Sequence, residues 1–193
     1  MFKDRVVIEH VNDQFVIDQI IDQKIVSLFG GSSESGRRAL GNRSIVADPR
    51  SLEMKNIINS KVKHRQWFRP FAPSMLRDDV KEWFNYEVDS PYMSFAIGVK
   101  EDKRNFIPAV LHKDNTARLQ TLTAKDNGYY YDLVKLFFEK TGVPMILNTS
   151  FNDREPIVET PKNAIDCFLR TNIDYLYFAK EQLLISKATH TEK

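Results

Sequence analysis

The stretch YYYDLVKLFFEKTGVPMIL, residues 129 to 147, decides the fold. Its first part carries apolar side chains at helical spacing and predicts a helix from Tyr129 to Lys140. Gly142 then marks the helix end, because glycine readily adopts the left-handed backbone that closes a helix. The residues that follow predict a strand from Val143 to Leu147. A helix that leads directly into an apolar strand is typical of α/β proteins.

The same alternation continues on both sides of this stretch. Further helices are predicted over residues 14 to 22, 52 to 62 and 161 to 170. Further strands are predicted over residues 24 to 29, 93 to 99, 107 to 110, 117 to 122 and 173 to 178. Ser51 and Thr160 are expected to cap the helices that follow them, and Pro161 suits a first helical position. We therefore expect residues 1 to 193 to form one α/β domain with a mixed sheet.

The composition excludes several classes of protein. With 42% hydrophobic and 28% charged residues, the 193-residue chain has the balance of a soluble domain with its own core. No run approaches the roughly 18 apolar residues of a membrane span, and the first ten residues lack an export signal, so we expect a cytoplasmic protein without membrane contact. The single cysteine, Cys167, excludes a disulfide framework and a multi-thiolate zinc site. His112 and Asp114 are too few for a metal site, so none is expected.

Positive charge is concentrated in one part of the chain. Residues 36 to 69 contain nine Lys and Arg against two acidic residues, a local charge of +7 within a chain whose net charge is +2. The basic residues of this segment are Arg37, Arg38, Arg43, Arg50, Lys55, Lys61, Lys63, Arg65 and Arg69. This asymmetry predicts one basic face on a slightly acidic body, which suits an anionic ligand.

Two segments of this basic region have the composition of an anion site. ESGRRALGNRSIVADPR, residues 34 to 50, mixes guanidinium groups with glycines that permit close backbone approach. KVKHRQWFRPFAPS, residues 61 to 74, alternates cations with aromatic side chains. Such aromatics can exclude water from an anion or stack on the bases of single-stranded nucleic acid. A solvated loop and an ordinary core with a basic rim are the alternative interpretations.

Two later segments add polar groups next to strands. LNTSFND, residues 147 to 153, follows a strand and presents amides and hydroxyls where α/β proteins bind ligands, although a plain turn has the same composition. HKDNTARLQ, residues 112 to 120, places Arg118 between apolar neighbours in a strand. An arginine buried there would need an anion or a carboxylate partner. A structural salt bridge would satisfy it equally well.

Taken in order, six motifs resemble the carboxy-terminal domain of the O-carbamoyltransferases of nodulation-factor and antibiotic pathways, the NodU-type and tobramycin-type enzymes. The motifs are SGRRALGNRSIVADPR, KHRQWFRPFAPS, SPYM, HKDNTARLQT, TGVPMILNTSFN and EPIVETP. The resemblance covers about residues 20 to 180. It implies a YrdC-like fold, a twisted mixed sheet with flanking helices and a basic concave cleft.

The resemblance also implies a function. The domain would bind carbamoyl phosphate and ATP, with Mg²⁺ accompanying the ATP, and would form carbamoyl-adenylate. Matching motifs place Lys63, Arg69 and Arg118 in the catalytic role. They place Arg38, Asn148, Ser150 and Asn152 in cofactor binding. In the family a larger amino-terminal domain then transfers the carbamoyl group, and we expect a separately encoded partner subunit to supply that domain here.

This chain departs from the family pattern at two places. The family usually has an aromatic residue and a proline where this chain has Ser35 and Arg37, and the loop after Asn152 is one residue short and lacks a glycine. The first change adds a cation near the pocket. The second bears on catalytic activity more than on ligand binding. Because the transferase domain of the family is not found in this sequence, the alternative function is a non-catalytic basic module that binds a nucleotide or nucleic acid within a larger assembly.

Overall fold

A nine-stranded mixed sheet organises the chain in the computed structural model, which describes residues 2 and 4–188. The strands are β1 (Val6–His10), β2 (Val26–Phe29), β3 (Arg43–Ala47), β4 (Ala72–Leu76), β5 (Phe95–Gly98), β6 (Thr116–Leu122), β7 (Met145–Ser150), β8 (Tyr175–Phe178) and β9 (Leu183–Lys187). They pair in the order β1-β9-β8-β2-β3-β7-β4-β6-β5. Strands β2 and β8 are parallel, as are β4 and β6, whereas the other neighbours are antiparallel. The predicted mixed α/β sheet is confirmed.

Helices flank the sheet, and their ends follow from local sequence. They are α1 (Asp13–Ile21), α2 (Leu52–Ile57), α3 (Val80–Trp83), α4 (Gly128–Thr141) and α5 (Pro161–Arg170). Short helical turns cover Ile58–Val62, Arg77–Asp79 and Glu101–Phe106. Gly142 ends α4 with φ +72°, as predicted. Thr160 and Asn163 form a reciprocal capping box at the start of α5, which confirms the predicted cap.

Strand β7 carries the site from the core to the surface. Helix α4 packs against β4, β7 and α1, while α5 lies against β2 and β8. Met145, Ile146 and Leu147 are fully buried, so β7 is fixed along most of its length. Asn148 lies opposite Ala72 of β4 and Val46 of β3. The segments that the sequence singled out therefore meet at the carboxyl end of β7.

The structure corrects two local predictions. Residues 107 to 110 form a turn and not a strand, because Pro108 has no N–H for a ladder and the apolar neighbours fill the core from a loop. The Ser51 side chain makes no capping hydrogen bond to α2. Met1 and Lys3, within the first ten residues considered above for an export signal, lie outside the described residues. In the part of the chain that the structure describes, no helix is long and apolar enough to cross a membrane.

Candidate functional site

Five arginines converge on one cavity of about 340 Å³ at the carboxyl end of β7. Its walls are formed by Arg37, Arg38, Ala39, Arg65, Arg69, Pro70, Phe71, Ala72, Met93, His112, Arg118, Asn148, Thr149 and Ser150. We call it the arginine cavity. None of these lining residues is acidic. A wall of guanidinium groups without a carboxylate is suited to bind a phosphate or another polyanion.

A half-buried carboxylate, that of Glu34, shapes the loop that carries Arg37 and Arg38. Oε1 of Glu34 accepts hydrogen bonds from the backbone N–H groups of Leu40 and Asn42, at 2.8 and 2.9 Å. Gly41 lies between them with φ +119°, a backbone conformation that glycine adopts without strain. The loop therefore closes on itself and presents its two arginines to the cavity.

A buried amide organises the second arginine segment. Asn59 lies in the π-helical turn after α2, and its Nδ2 donates to the carbonyl oxygens of Trp67 and Arg69 at 3.1 and 3.0 Å. Its Oδ1 accepts from Nε of Arg65 at 2.7 Å. One fully buried side chain thus fixes the loop that carries Arg65 and Arg69. Sequence patterns did not identify Arg65 as a site residue.

The arginine cavity crowds like charges together. Burial lowers the pKa of Arg65 to about 10, and the neighbouring Arg69 acts in the same direction. Burial also lowers the pKa of Arg38, helped by Arg118 and Arg37. Self-repulsion between these cations makes the cavity favour an anion that neutralises them.

Lys63 lies behind the cavity wall and does not line it. Its Nζ lies 2.7 Å from the carbonyl oxygen of Ser150, 2.8 Å from that of Asn152, and 2.7 Å from Oδ1 of Asn152. Oγ of Ser150 is a fourth neighbour at 3.3 Å. Burial lowers the pKa of Lys63 to about 7, with a further contribution from Arg65. In this geometry Lys63 positions the loop after β7, so direct ligand contact by Lys63 stays a prediction.

The polypeptide around Lys63 is held in a rare conformation. His64 has φ +44°, which is uncommon for a residue with a side chain. This backbone turn lets Lys63 point toward β7 while Arg65 reaches the arginine cavity. Nδ1 of His64 lies 3.0 Å from Oδ1 of Asp153 and joins the two loops.

Asn148 lines the cavity with an oxygen that has no partner. Its Nδ2 lies 3.0 Å from the carbonyl oxygen of Ala39 and 2.9 Å from Oγ of Ser74. Asn148 is almost fully buried, yet Oδ1 has no hydrogen-bond partner among the described residues. Because buried polar atoms are nearly always paired, this oxygen is a candidate ligand contact.

His112 is a second lining residue with an unpartnered atom. Its Nδ1 lies 2.9 Å from Oγ1 of Thr116, and Oγ1 of Thr116 donates to Oδ1 of Asp114 at 2.8 Å. Nε2 of His112 is buried and has no partner in the described chain. Burial lowers the pKa of His112, as do Arg118 and Lys55, while Asp114 acts against them. In the sequence, His112 had pointed only to a possible metal ligand.

A second cavity of about 430 Å³ adjoins the first and shares Arg37 and Ser150 with it. Its remaining walls are Ser33, Glu34, Gly36, Asn152, Pro156, Ile157, Val158 and Glu159. Oε2 of Glu34 has no partner within the described part of the chain, so it can accept a hydrogen bond from a ligand hydroxyl. The two cavities together offer room for two adjacent ligands.

Six of the seven predicted site residues line these two cavities, and Lys63 lines neither. Arg38, Arg69, Arg118, Asn148 and Ser150 line the arginine cavity, and Asn152 lines only the second one. Arg118 is exposed on the cavity side of β6 and makes no ion pair with a described residue, so the expectation of a buried arginine is wrong. Within residues 2 and 4–188, no three His, Cys, Asp or Glu side chains group as metal ligands.

Two arginines of the first basic segment are structural. Arg43 is buried, donates to the carbonyl oxygens of Gly30 and Glu159, and stacks on Phe29 with its guanidinium carbon 3.7 Å from the ring centroid. Arg50 pairs with Asp48 at 2.7 Å. Their positive charges are therefore directed into the fold and not toward the cavity.

The chain is an α/β domain whose arginine cavity has the composition of an anion-binding site. The sequence of the chain assigns the domain to a family. Residues 17–187 match the family model described as Carbamoyltransferase C-terminus, so the chain belongs to that family and the resemblance is confirmed. The chain is similar to "Nodulation protein NolNO" of Sinorhizobium fredii, with 45% identity over 174 residues, or 88% of this chain and 25% of that protein. It therefore spans about a quarter of that relative's length.

Solved structures confirm the YrdC-like fold. Full-length HypF in a phosphate- and nucleotide-bound form matches with a TM-score of 0.54 and 16% identity, over 86% of this chain and 21% of HypF. A variant of Sua5 from P. abyssi matches with a TM-score of 0.53 and 12% identity, over 85% of this chain and 49% of Sua5. At these identities the likeness establishes the fold alone.

Proposed function

We propose that this carbamoyltransferase-family domain binds carbamoyl phosphate and ATP and forms carbamoyl-adenylate. The observation that carries the proposal is the convergence of five arginines on one cavity without a lining carboxylate. Two polyanions that must react with each other repel, so charge neutralisation and alignment supply most of the catalytic effect.

Each group of residues has a distinct role in the proposed site. Arg38, Arg69 and Arg118 pair with phosphate oxygens through charge-assisted hydrogen bonds. Ser150 lines the same cavity, and its hydroxyl, which donates to Oδ1 of Asn152 at 2.7 Å, exchanges that hydrogen bond for one to a phosphate oxygen when the ligand binds. Lys63 holds the backbone and side chains of Ser150 and Asn152 in place.

The reaction proceeds in two steps in this proposal. Water replaces the phosphate of carbamoyl phosphate, which leaves carbamate, inorganic phosphate and one proton released to solvent. A carbamate oxygen then bonds to the α-phosphorus of ATP as the bond to the β-phosphate oxygen breaks and pyrophosphate leaves. The arginines stabilise the negative charge that accumulates on the two departing phosphate groups.

The second cavity suits the nucleoside part of ATP. Oε2 of Glu34 can accept from a sugar hydroxyl, and Pro156, Ile157 and Val158 offer an apolar wall to a base. No carboxylate lines the arginine cavity, so its residues do not fit a protein-bound Mg²⁺, and no step is assigned to that ion.

Transfer to an acceptor alcohol requires further protein in this proposal. An acyl-adenylate hydrolyses readily, so a closed site must receive it. We assign that step to a transferase domain that docks over the two cavities in the cytoplasm.

The proposal is tested by incubating the protein with carbamoyl phosphate and ATP and analysing products by mass spectrometry. The expected products are carbamoyl-adenylate, phosphate and pyrophosphate, and omission of either substrate should abolish the adenylate. Ligand at 100 times its dissociation constant should stabilise the fold by about 2.7 kcal/mol. Absence of both the adenylate and any stabilisation contradicts the proposal.

A second candidate function is favoured by exposed aromatics beside the arginine cavity. Trp67 and Phe68 are 72% and 60% exposed, and they form a groove with Lys55 and Lys113. Exposed rings among cations suit single-stranded nucleic acid. Nucleic-acid binding would weaken steeply with salt and would be lost in Trp67→Ala, whereas a nucleotide site would be blocked by free ATP.

A further inference from the structure

We propose that His112, together with Asn148, accepts hydrogen bonds from the amino group of carbamoyl phosphate and thereby selects a carbamoyl group over other acyl groups. The inference rests on the proposed function and assigns a specificity-determining role to His112. Its basis is a contrast within the arginine cavity. Five of the lining side chains are guanidinium donors, yet two lining residues each hold a buried acceptor without a partner among the described residues.

The hydrogen bonds around His112 fix its tautomer. Asp114 is held as a carboxylate, since hydrogen bonds from Thr116 lower its pKa, and a carboxylate only accepts. The single hydroxyl hydrogen of Thr116 is directed to Asp114 at 2.8 Å. Oγ1 of Thr116 also lies 2.9 Å from Nδ1 of His112. Because its hydrogen is used for Asp114, Oγ1 can only be the acceptor in that hydrogen bond. The ring proton of His112 must lie on Nδ1.

The tautomer determines what Nε2 can do. Burial and the nearby Arg118 and Lys55 disfavour a charged ring, so the imidazole is neutral and Nε2 carries a bare lone pair. A phosphate oxygen also carries only lone pairs unless it is protonated. Nε2 therefore has nothing to offer a phosphate dianion, and it requires a ligand atom with an N–H or O–H.

The orientation of Asn148 is fixed by an equally direct argument. The carbonyl oxygen of Ala39 only accepts, so the group 3.0 Å from it must be the Nδ2 of Asn148. The unpartnered group is then Oδ1, a second buried acceptor, on another residue that lines the same cavity.

Carbamoyl phosphate carries the matching donors. Its phosphate suits the arginines, and its amino group has two N–H bonds. Acetyl phosphate has the same charge and nearly the same shape, with a methyl group in place of the amino group. It would leave both acceptors unpaired in a buried site, so we expect roughly 10- to 100-fold weaker binding.

The test compares calorimetric titrations of the intact protein with carbamoyl phosphate, acetyl phosphate and inorganic phosphate. The wild-type protein should prefer carbamoyl phosphate over acetyl phosphate by that factor. His112→Leu removes the acceptor and should lose most of the preference, because its affinity for carbamoyl phosphate should fall more than its affinities for acetyl phosphate and inorganic phosphate. His112→Gln retains a carbonyl acceptor and should recover part of the preference.

A second pair of variants tests the tautomer without altering the imidazole. Thr116→Val removes the hydroxyl that keeps the proton on Nδ1, so the preference should fall, whereas Thr116→Ser keeps the hydroxyl and the preference. If His112→Leu does not fold, the comparison of Thr116→Val with Thr116→Ser still tests the proposed role of His112. Equal binding of the two acyl phosphates by the wild type, or an unchanged preference in both His112→Leu and Thr116→Val, overturns the inference. Failure to bind either acyl phosphate contradicts the proposed function instead.

Discussion

Nζ of Lys63 lies 2.7 Å from Oδ1 of Asn152, and this contact joins the basic segment to the loop after β7. The same Nζ also contacts the carbonyl oxygens of Ser150 and Asn152. An ammonium has three hydrogens for these oxygens, whereas a neutral amine has two. The geometry of the loop therefore depends on the charge state of one lysine.

We expect the affinity for sulfate to fall as the pH rises above 7. Burial lowers the pKa of Lys63 to about 7, so deprotonation is half complete at that pH and goes further above it, which loosens residues 150 to 152. The cavity arginines stay charged, since the pKa of Arg65 is lowered only to about 10. Sulfate keeps its charge over pH 6 to 9, so calorimetry in this range reports on the protein. Lys63→Met should bind weakly at every pH, and a constant wild-type affinity argues against the idea.

The contribution of Lys63 to the free energy of unfolding should change with pH in the opposite direction to the sulfate affinity, and should increase as the pH rises. In the folded state the pKa is about 7, against an ordinary value of 10.5. The unfolded chain therefore binds more protons between these values, and this group makes the fold more stable as the pH rises through that window. Urea unfolding of the wild type and Lys63→Met at pH 7 and 9 isolates the contribution. If the free energy of unfolding increases from pH 7 to pH 9 no more in the wild type than in Lys63→Met, Lys63 does not make this contribution.

Arg118→Ala and Arg38→Ala should each weaken phosphate binding by about 10- to 100-fold, because each removes charge-assisted hydrogen bonds worth about 1.5–3 kcal/mol. The melting temperature of the ligand-free variants should be unchanged or higher, because repulsion with neighbouring arginines is relieved. Lys135→Ala, on the exposed face of α4, removes the same charge elsewhere and should bind normally. If either arginine variant unfolds, that arginine stabilises the fold, and its assignment to ligand binding is contradicted.

Gly41→Ala should destabilise the fold by about 2 kcal/mol or more. A Cβ at this position would lie 2.5 Å from ring atoms of Tyr130, and φ is +119°. Gly36→Ala, in the same loop, is the matched control because its Cβ would meet nothing within 4 Å. Urea unfolding of both variants gives the comparison, and equal stability of the two would contradict the argument.

Asn59→Ala should lower the free energy of unfolding by about 1–3 kcal/mol and also weaken phosphate binding. The substitution leaves the carbonyl oxygens of Trp67 and Arg69 without their donor and releases Arg65. Asn56→Ala, on the exposed side of α2, changes the same residue type and should be neutral. If Asn59→Ala loses stability but keeps full phosphate affinity, the loop arginines do not depend on Asn59.

The elements with strong local signals were predictable from the sequence. Helix α4, its stop at Gly142 and the capped start of α5 depend on contacts within a few residues. Strands β1, β3, β4 and β9 were not predicted, because these strands depend on pairing with segments that are distant in the sequence. Strand β4 contains Pro73, which is tolerated because β4 pairs with β6 only from Ser74 onward.

The sequence indicated which cations belong to the candidate site, but it did not indicate how they are arranged in space. Charge and motif order selected Arg38, Arg69 and Arg118, and the structure places all three in the wall of one cavity. The burial of Lys63 depends on the π-helical turn before it and on the positive φ of His64, and neither leaves a periodic pattern. The role of His112 depends on a tight turn at Asn115, with φ +63°, that brings Thr116 back to the ring.

The crowded arginines have a practical consequence for the resting protein. Because an anion would relieve the repulsion between these arginines, we expect the cavity to retain inorganic phosphate. Protein purified in phosphate buffer should then carry the ion and melt at a higher temperature. Inside a cell the same ion would compete with the proposed substrates for the guanidinium groups. In the proposed function, the arginines would therefore hold any small oxyanion, and the uncharged acceptors of the lining residues would distinguish one ligand from another.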